Sequence, residues 1–364
     1  MIRILVIQLR RLGDVLMTTP LLRSLRGNFP DARLDFLCEP GSRQVLEHNS
    51  LVDEIRLLSE RPTGVDLLDL AMELRRARYD WVIDCQGLAK TGLLARLSGA
   101  PVRLGYGGRW WRPLVYSTRY VRHNADYSAL DKLRLLGRLL DEAHAPDPRD
   151  LELEFPVAPQ ARQEAELFCR ATFQGTASLP PARPGGPARW PVAALFGVSR
   201  QPYKVWPAEA LAEVGRRLAA AGLRPFLVHG PGEEEAARRV AERIGPAALV
   251  DYPLPSFPVL KEILARCALF VGNDGGPKHL AALSGIPSVA VFGRVHPESW
   301  TRPGDATQRW VATASETRRL PTRGPCETAR SLEEIPAESV WREVESLLRG
   351  QPRLFQSQRG ARRP

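Results

Sequence analysis

The stretch Leu269-Phe270-Val271-Gly272-Asn273-Asp274-Gly275-Gly276-Pro277-Lys278-His279 reads as a strand that runs directly into a helix. Residues 269–272 are apolar and of strand length, and Asp274 ends the strand. Pro277 suits the first turn of a helix, which small residues continue over 278–284. Gly275 and Gly276 leave backbone N–H groups exposed at that helix start, where the dipole favours an anion. An ordinary tight βα turn would explain the same two glycines.

Outward from this segment the alternation of strand and helix recurs. Residues 192–196, 225–229 and 288–292 read as strands, and 208–221, 233–243 and 337–348 as helices. Towards the N-terminus lies the stretch 174–191, with five prolines and three glycines, which can propagate neither a helix nor a central strand. Before it, residues 3–8, 33–38 and 81–84 read as strands, and 15–27 and 66–77 as helices. Repeated strand–helix units predict an α/β fold with parallel sheets and right-handed crossovers. The expected division is a first domain over 1–173, a linker over 174–191, a second domain over 192–349 and a basic, disordered tail over 350–364. Two doubly wound halves of this kind bind ligands between them, beyond the carboxyl ends of their strands.

The length of 364 residues fits two domains, and 44% hydrophobic with 25% charged residues is a globular balance. No stretch of 18 or more residues is free of charge, so no membrane span is expected. The apolar start over residues 1–8 is broken at once by Arg10 and Arg11, which speaks against a signal peptide and for a cytoplasmic protein. The five cysteines form no C-x-x-C pair and are expected to be free, buried thiols. The six histidines lack ligand spacing, so no protein-held metal is expected. The formal charge of +10 fits nucleic acid, an anionic membrane surface or phosphorylated substrates, or an arginine-rich composition without further meaning. No recognition helix or stacking-aromatic motif supports nucleic acid. Residues 350–364 carry four arginines and no acid, which suits peripheral contact with anionic lipid at the inner face of the cytoplasmic membrane.

Arg10-Arg11-Leu12-Gly13-Asp14 follows the first strand. Gly13 would allow a sharp turn, and Asp14 is either an N-cap or a general base at the mouth of a cleft. The turn is not G-x-G-x-x-G, so it gives no support for a dinucleotide. Ser199, Arg200 and Lys204 follow the strand at 192–196 and are either a phosphate-binding group or a solvated basic loop. The turn His229-Gly230-Pro231-Gly232-Glu233-Glu234 resembles a nucleoside-holding loop. No Asp-x-Asp occurs, so a departing diphosphate would have to be neutralised by Lys, Arg and a helix dipole. Arg103, Arg109, Arg112, Arg119 and Arg122, with Trp110 and Trp111 among them, suit a phosphorylated or carboxylated lipid-linked sugar or form a solvated basic face. Leu93 and Leu94 read as core.

R-R-L-G-D-V-L-M-T-T-P at 10–20, D-C-Q-G-L at 84–88, K-V-W-P at 204–207 and D-G-G-P-K-H-L-A at 274–281 together resemble glycosyltransferase family 9. Its best-known members are the heptosyltransferases of lipopolysaccharide core synthesis, and the resemblance spans roughly residues 1–345. It implies two Rossmann-like doubly wound domains facing a cleft, the GT-B arrangement, and an inverting, metal-independent transfer with no cofactor. The donor would be a nucleotide-sugar, ADP-heptose, and the acceptor a lipopolysaccharide core or another cell-envelope glycan or glycolipid. Asp14 matches the family's proposed base, and Lys204 matches a lysine that contacts the donor phosphates. Ser199 and Arg200 fall at phosphate-binding positions, Asp274 at the donor sugar, Gly275 and Gly276 at the diphosphate, with His279 on the same helix and Glu234 at the ribose. Arg11, Arg109 and Arg112 are the expected acceptor contacts. The family usually has Ser or Thr where this chain has Gly275, and often P-G-S where it has Phe196-Gly197-Val198-Ser199. A nucleotide-sugar epimerase on the same scaffold and a non-catalytic nucleotide- or lipid-sugar-binding homologue are the alternatives.

Overall fold

The structure is a computed structural model that describes residues 1–122, 126–142, 144–173, 181, 185–199, 204–293, 295–312 and 332–350. The chain divides into two compact units, 1–156 and 157–364.

The first unit contains β1 (Arg3–Ile7), α1 (Leu12–Leu16), α2 (Thr19–Asn28), β2 (Arg33–Cys38), β3 (Glu54–Leu57) and α3 (Gly64–Ala77). It continues through β4 (Trp81–Asp84), α4 (Ala89–Leu97), β5 (Val102–Tyr106), α5 (Arg112–Val115), β6 (Thr118–Tyr120) and α6 (Ser128–Leu136). Its six strands are all parallel, in the order β3-β2-β1-β4-β5-β6. The central strands are buried on both faces, with Ile4, Leu5, Val6 and Ile7 of β1 fully inaccessible, which is why they read as continuous apolar runs. The strand order reverses between β1 and β4, and Asp84 at the end of β4 lies in register with Ile7. The helix expected over 15–27 is two helices. Pro20 stands at the second position of α2 and fits only a first turn, so the chain ends α1 and restarts. Leu94 is fully buried as expected, but Leu93 is 47% exposed, since one helix face alone meets the sheet.

The second unit contains α7 (Pro159–Thr172), β7 (Val192–Phe196), α8 (Ala208–Ala220), β8 (Arg224–Leu227), α9 (Glu234–Ile244) and α10 (Phe257–Leu264). It ends with β9 (Leu269–Asn273), α11 (Gly276–Ser284), β10 (Ser288–Phe292), α12 (Pro297–Trp300), β11 (Gln308–Ala312) and α13 (Ala337–Arg349). Its sheet is parallel, in the order β11-β10-β9-β7-β8. A single parallel bridge from Phe226 to Leu249 sits beyond β8. Counted as a one-residue strand, it gives this unit the same order as the first, and both match the doubly wound dinucleotide-binding topology.

The division of the chain does not fall in the proline-rich stretch. Helix α7 precedes that stretch in sequence but belongs to the second unit. It packs on α10, its Glu166 accepts a hydrogen bond from Arg266 Nε at 3.1 Å, and the Phe173 ring after it lies 5.3 Å from that of Phe226. The tail beyond residue 350 lies outside the described residues.

Gly272 carries a register constraint that no side chain can meet. It pairs with Phe196 of β7, and a Cβ there would stand 2.2 Å from the Phe196 carbonyl oxygen. We expect Gly272→Ala to destabilise the second unit by about 3 kcal/mol, because only a shift of central backbone could relieve the clash. Urea denaturation checks this, and a midpoint equal to wild type would refute it.

Candidate active site

In the first unit the chemistry gathers at the carboxyl ends of β1 and β4. Gly13 is buried inside α1, one residue before Asp14, and is not the turn residue the sequence suggested. Asp14 is not the N-cap either. Arg11 takes that position, and Asp14 reaches back so that its Oδ2 accepts the Arg11 backbone N–H at 2.9 Å. The carboxylate is half-buried, and its other oxygen has no hydrogen bond among the described residues. Arg11 itself is exposed.

The loop that carries Asp14 is fastened to the end of β4. Gln86 Oε1 accepts from Gln8 Nε2 at 2.8 Å and from the Arg10 backbone N–H at 3.1 Å. Gln86 is itself placed by Asp84, whose Oδ1 accepts the backbone N–H groups of Gln86 and Gly87, each at 2.9 Å. The Tyr116 hydroxyl donates to the other Asp84 oxygen at 2.6 Å, and burial raises the pKa of this carboxyl. The D-C-Q-G-L segment thus positions the R-R-L-G-D segment. A further charge, which the sequence reading missed, lies on α6. Lys132 is 1% exposed and donates to Ser128 Oγ at 2.9 Å. Burial lowers its pKa, and the negative charge of Asp14 is the largest influence that opposes this. A lysine in a helix otherwise rich in leucine carries no motif, so only the fold could bring it near Asp14.

In the second unit Lys204, Asp274, Gly275, Gly276 and His279 come together where β7 and β9 end. Lys204 Nζ lies 3.6 Å from Asp274 Oδ2, and Asp274 is 12% exposed at its side chain. Its Oδ1 is buried and has no hydrogen-bond partner among the described residues. His279 Nε2 stands 4.0 Å from that oxygen. Burial first, then the ammonium groups of Lys278 and Lys204, hold the His279 pKa well below the usual value, so the imidazole is neutral and this contact is no ion pair. Gly275 caps α11, and Gly276 is its first residue. The loop is held from below by Trp206, whose backbone N–H donates to Asn273 Oδ1 at 3.1 Å and whose indole donates to the Ile335 carbonyl at 2.9 Å.

Glycine at 275 has a local cause. A Cβ there would stand 2.8 Å from Cε1 of the Phe196 ring. Phe196 occupies the space that a Ser or Thr side chain would need. Ser199 is half-buried in the loop after β7, and Arg200 lies outside the described residues. Glu234 opens α9, where the backbone N–H groups of Glu234 and Gly232 lower its pKa. Its carboxylate is therefore engaged by its own loop.

Comparison with known proteins decides the family. The sequence profile of glycosyltransferase family 9 (heptosyltransferase) matches residues 67–326. The chain belongs to glycosyltransferase family 9. Lipopolysaccharide heptosyltransferase 3 of Escherichia coli is 25% identical over 353 residues, covering 92% of this chain and 96% of that protein. Among solved structures, the family 9 glycosyl transferase of Veillonella parvula has a TM-score of 0.75 at 24% identity, covering 96% of this chain and 97% of that one. The E. coli ADP-heptose lps heptosyltransferase II has a TM-score of 0.68 at 22% identity, covering 96% and 100%. These likenesses show the GT-B type of fold, with two Rossmann-like units, and the family makes the protein a glycosyltransferase.

The five arginines between 103 and 122 of this family 9 glycosyltransferase separate into two groups. Arg112 donates to the carbonyls of Gly107 and Gly87, and Arg103 to those of Val115 and Ala100, so both brace the β4–β6 region. Arg122 pairs with Asp131 at 2.7 Å and lies 4.2 Å over the Tyr106 ring. Arg109 and Arg119 are exposed, as is Trp110 at 85%. Of the expected acceptor contacts, Arg11 and Arg109 are therefore open to a ligand, and Arg112 already serves the fold. Cys38, Cys85, Cys169 and Cys267 are free and buried, and Cys326 lies outside the described residues. No helix among the described residues is long and apolar enough to cross a membrane.

Proposed function

We propose that this glycosyltransferase moves a heptose from ADP-heptose to a hydroxyl of a lipopolysaccharide core acceptor, with inversion and without a metal. The observation that carries the reading is the buried Asp274 Oδ1, without a hydrogen-bond partner among the described residues, beside Lys204 at the start of α11. A buried acceptor without a donor is costly unless a ligand hydroxyl completes it. The sugar of the donor supplies such hydroxyls, and its diphosphate would meet Lys204 and the backbone N–H groups of the helix start. Asp14 takes the proton of the acceptor hydroxyl as that oxygen bonds to the anomeric carbon. The bond from that carbon to the phosphate oxygen breaks, and ADP leaves with the electron pair. Arg11 and Arg109 would meet acidic groups of the acceptor, and the reaction would run at the inner face of the cytoplasmic membrane. The E. coli relatives named above, lipopolysaccharide and ADP-heptose heptosyltransferases, support the choice of donor and acceptor.

The test is the melting temperature of the protein with ADP, UDP, GDP or CDP. A ligand at about 100 times its Kd adds about 2.7 kcal/mol to stability, so ADP alone should raise Tm clearly. A rise with UDP or GDP instead would move the donor to another nucleotide. Conversion of donor in the absence of any acceptor would favour epimerisation, and a strict magnesium requirement would overturn the metal-free route.

A further inference from the structure

Lys278 stands where two physical rules oppose a lysine. It is the third residue of α11, in the turn that carries the positive end of the helix dipole. It is also 1% exposed, so its ammonium is withdrawn from water. Its Nζ donates to the Trp300 carbonyl of α12 and lies 5.2 Å from the centre of the Phe292 ring of β10. Neither partner bears a full negative charge.

Among the described residues the charges around it do not balance. The one carboxylate that acts on Lys278 among the described residues is Asp274, in the turn after β9. Asp274 is shared with Lys204, and His279 on the same helix is neutral. Among the described residues two ammonium groups therefore face one carboxylate, at a helix start whose first-turn N–H groups, those of Gly276 and Lys278, add further positive potential. Pro277 between them has no N–H. Departures from local rules of this kind are expected at functional sites.

We infer that Lys278 is a second phosphate-directed cation of the donor site, a buried ammonium that stabilises a bound nucleoside diphosphate through the low-dielectric floor beneath α11. The inference rests on the donor-site reading above. Lys204 is the cation at the surface of that site, with its side chain 30% exposed, and Lys278 is the one behind it. Lys278 acts on the diphosphate as an electrostatic residue through the protein interior, where charges interact more strongly than in water.

The arrangement has a pH signature. Burial pushes the Lys278 ammonium down to about 8, with Asp274 opposing the shift. The group is charged below that pH and loses its proton above it, while His279 stays neutral throughout. Diphosphate affinity should therefore fall as pH rises through about 8. Binding an anion favours the ammonium, so ADP binding near that pH should take up a proton. The free protein behaves in the opposite sense. Between about 8 and the ordinary lysine value the unfolded chain holds the extra proton, so this group makes stability rise with pH.

The test is calorimetric titration of ADP into the full-length protein at about pH 7 and about pH 9. Wild type should bind roughly tenfold more weakly at the higher pH, with proton uptake seen as a dependence of the heat on buffer ionisation. Lys278→Met, similar in length and uncharged, should bind ADP about tenfold more weakly than wild type at the lower pH and lose no further affinity at the higher. Without nucleotide the variant should melt at or above the wild-type temperature, because it buries no charge. Equal ADP affinity of variant and wild type overturns the inference and leaves the donor site standing. Wild-type affinity that is flat across this range, which needs no variant, overturns it as well. Failure of wild type to bind any of ADP, UDP, GDP or CDP overturns the donor-site reading and the inference with it.

Discussion

Asp14→Asn should lower kcat by about three orders of magnitude while ADP affinity stays within about twofold of wild type. The substitution is nearly isosteric, and an Asn oxygen can still accept the Arg11 backbone N–H that Asp14 Oδ2 accepts at 2.9 Å. The α1 turn is therefore kept and only the basicity is lost. An acceptor hydroxyl that keeps its proton is a poor nucleophile, and the loss falls on the chemical step. A small decrease in Tm should accompany it, since the buried Lys132 loses the opposing charge of Asp14. Steady-state kinetics with donor and acceptor, beside ADP calorimetry, measures all three quantities. Turnover within about threefold of wild type would remove Asp14 as the base.

Lys204→Ala should lower kcat/KM by two to three orders of magnitude, roughly, and weaken ADP binding as well. Two effects combine. The diphosphate loses a direct cation in both the bound donor and the transition state, where leaving-group charge is greatest. Asp274 also loses its 3.6 Å partner, and its charge would then repel the diphosphate it now helps to position through Lys204. The two variants differ in kind, since Asp14→Asn spares nucleotide binding and Lys204→Ala does not. Lys204→Arg should recover part of the affinity, because it returns the charge but not the point geometry of an ammonium. Wild-type ADP affinity in Lys204→Ala would place the diphosphate elsewhere.

Much of this was legible in the sequence. The central strands announced themselves because parallel strands covered on both faces must be apolar at every position, as Ile4-Leu5-Val6-Ile7 and Leu269-Phe270-Val271 are. The strands that escaped notice are those whose burial is partial. Glu54-Ile55-Arg56-Leu57 of β3 is half-exposed along its length, and β6 is three residues long. The segment at Leu249 forms a single bridge and has no strand signal to read. The turn Asp274–Lys278 was readable because Gly-Gly-Pro has few uses other than a close βα junction.

The sequence by itself determined the two α/β halves, the order of their motifs and the family to which they belong, because backbone hydrogen bonding and burial impose periodicities that local composition must obey. Only the tertiary structure decided which groups share an electric field. Lys132 approaches Asp14 from α6, Gln86 fastens the Arg10 loop from the end of β4, and Phe196 denies Gly275 a side chain. Helix α7 joined the second unit for the same reason, since its partners on α10 and at Phe226 lie far along the chain. Charge, contact and excluded volume act through space and leave no periodic trace along the chain, so these pairings appeared only once the two sheets had set their neighbours side by side.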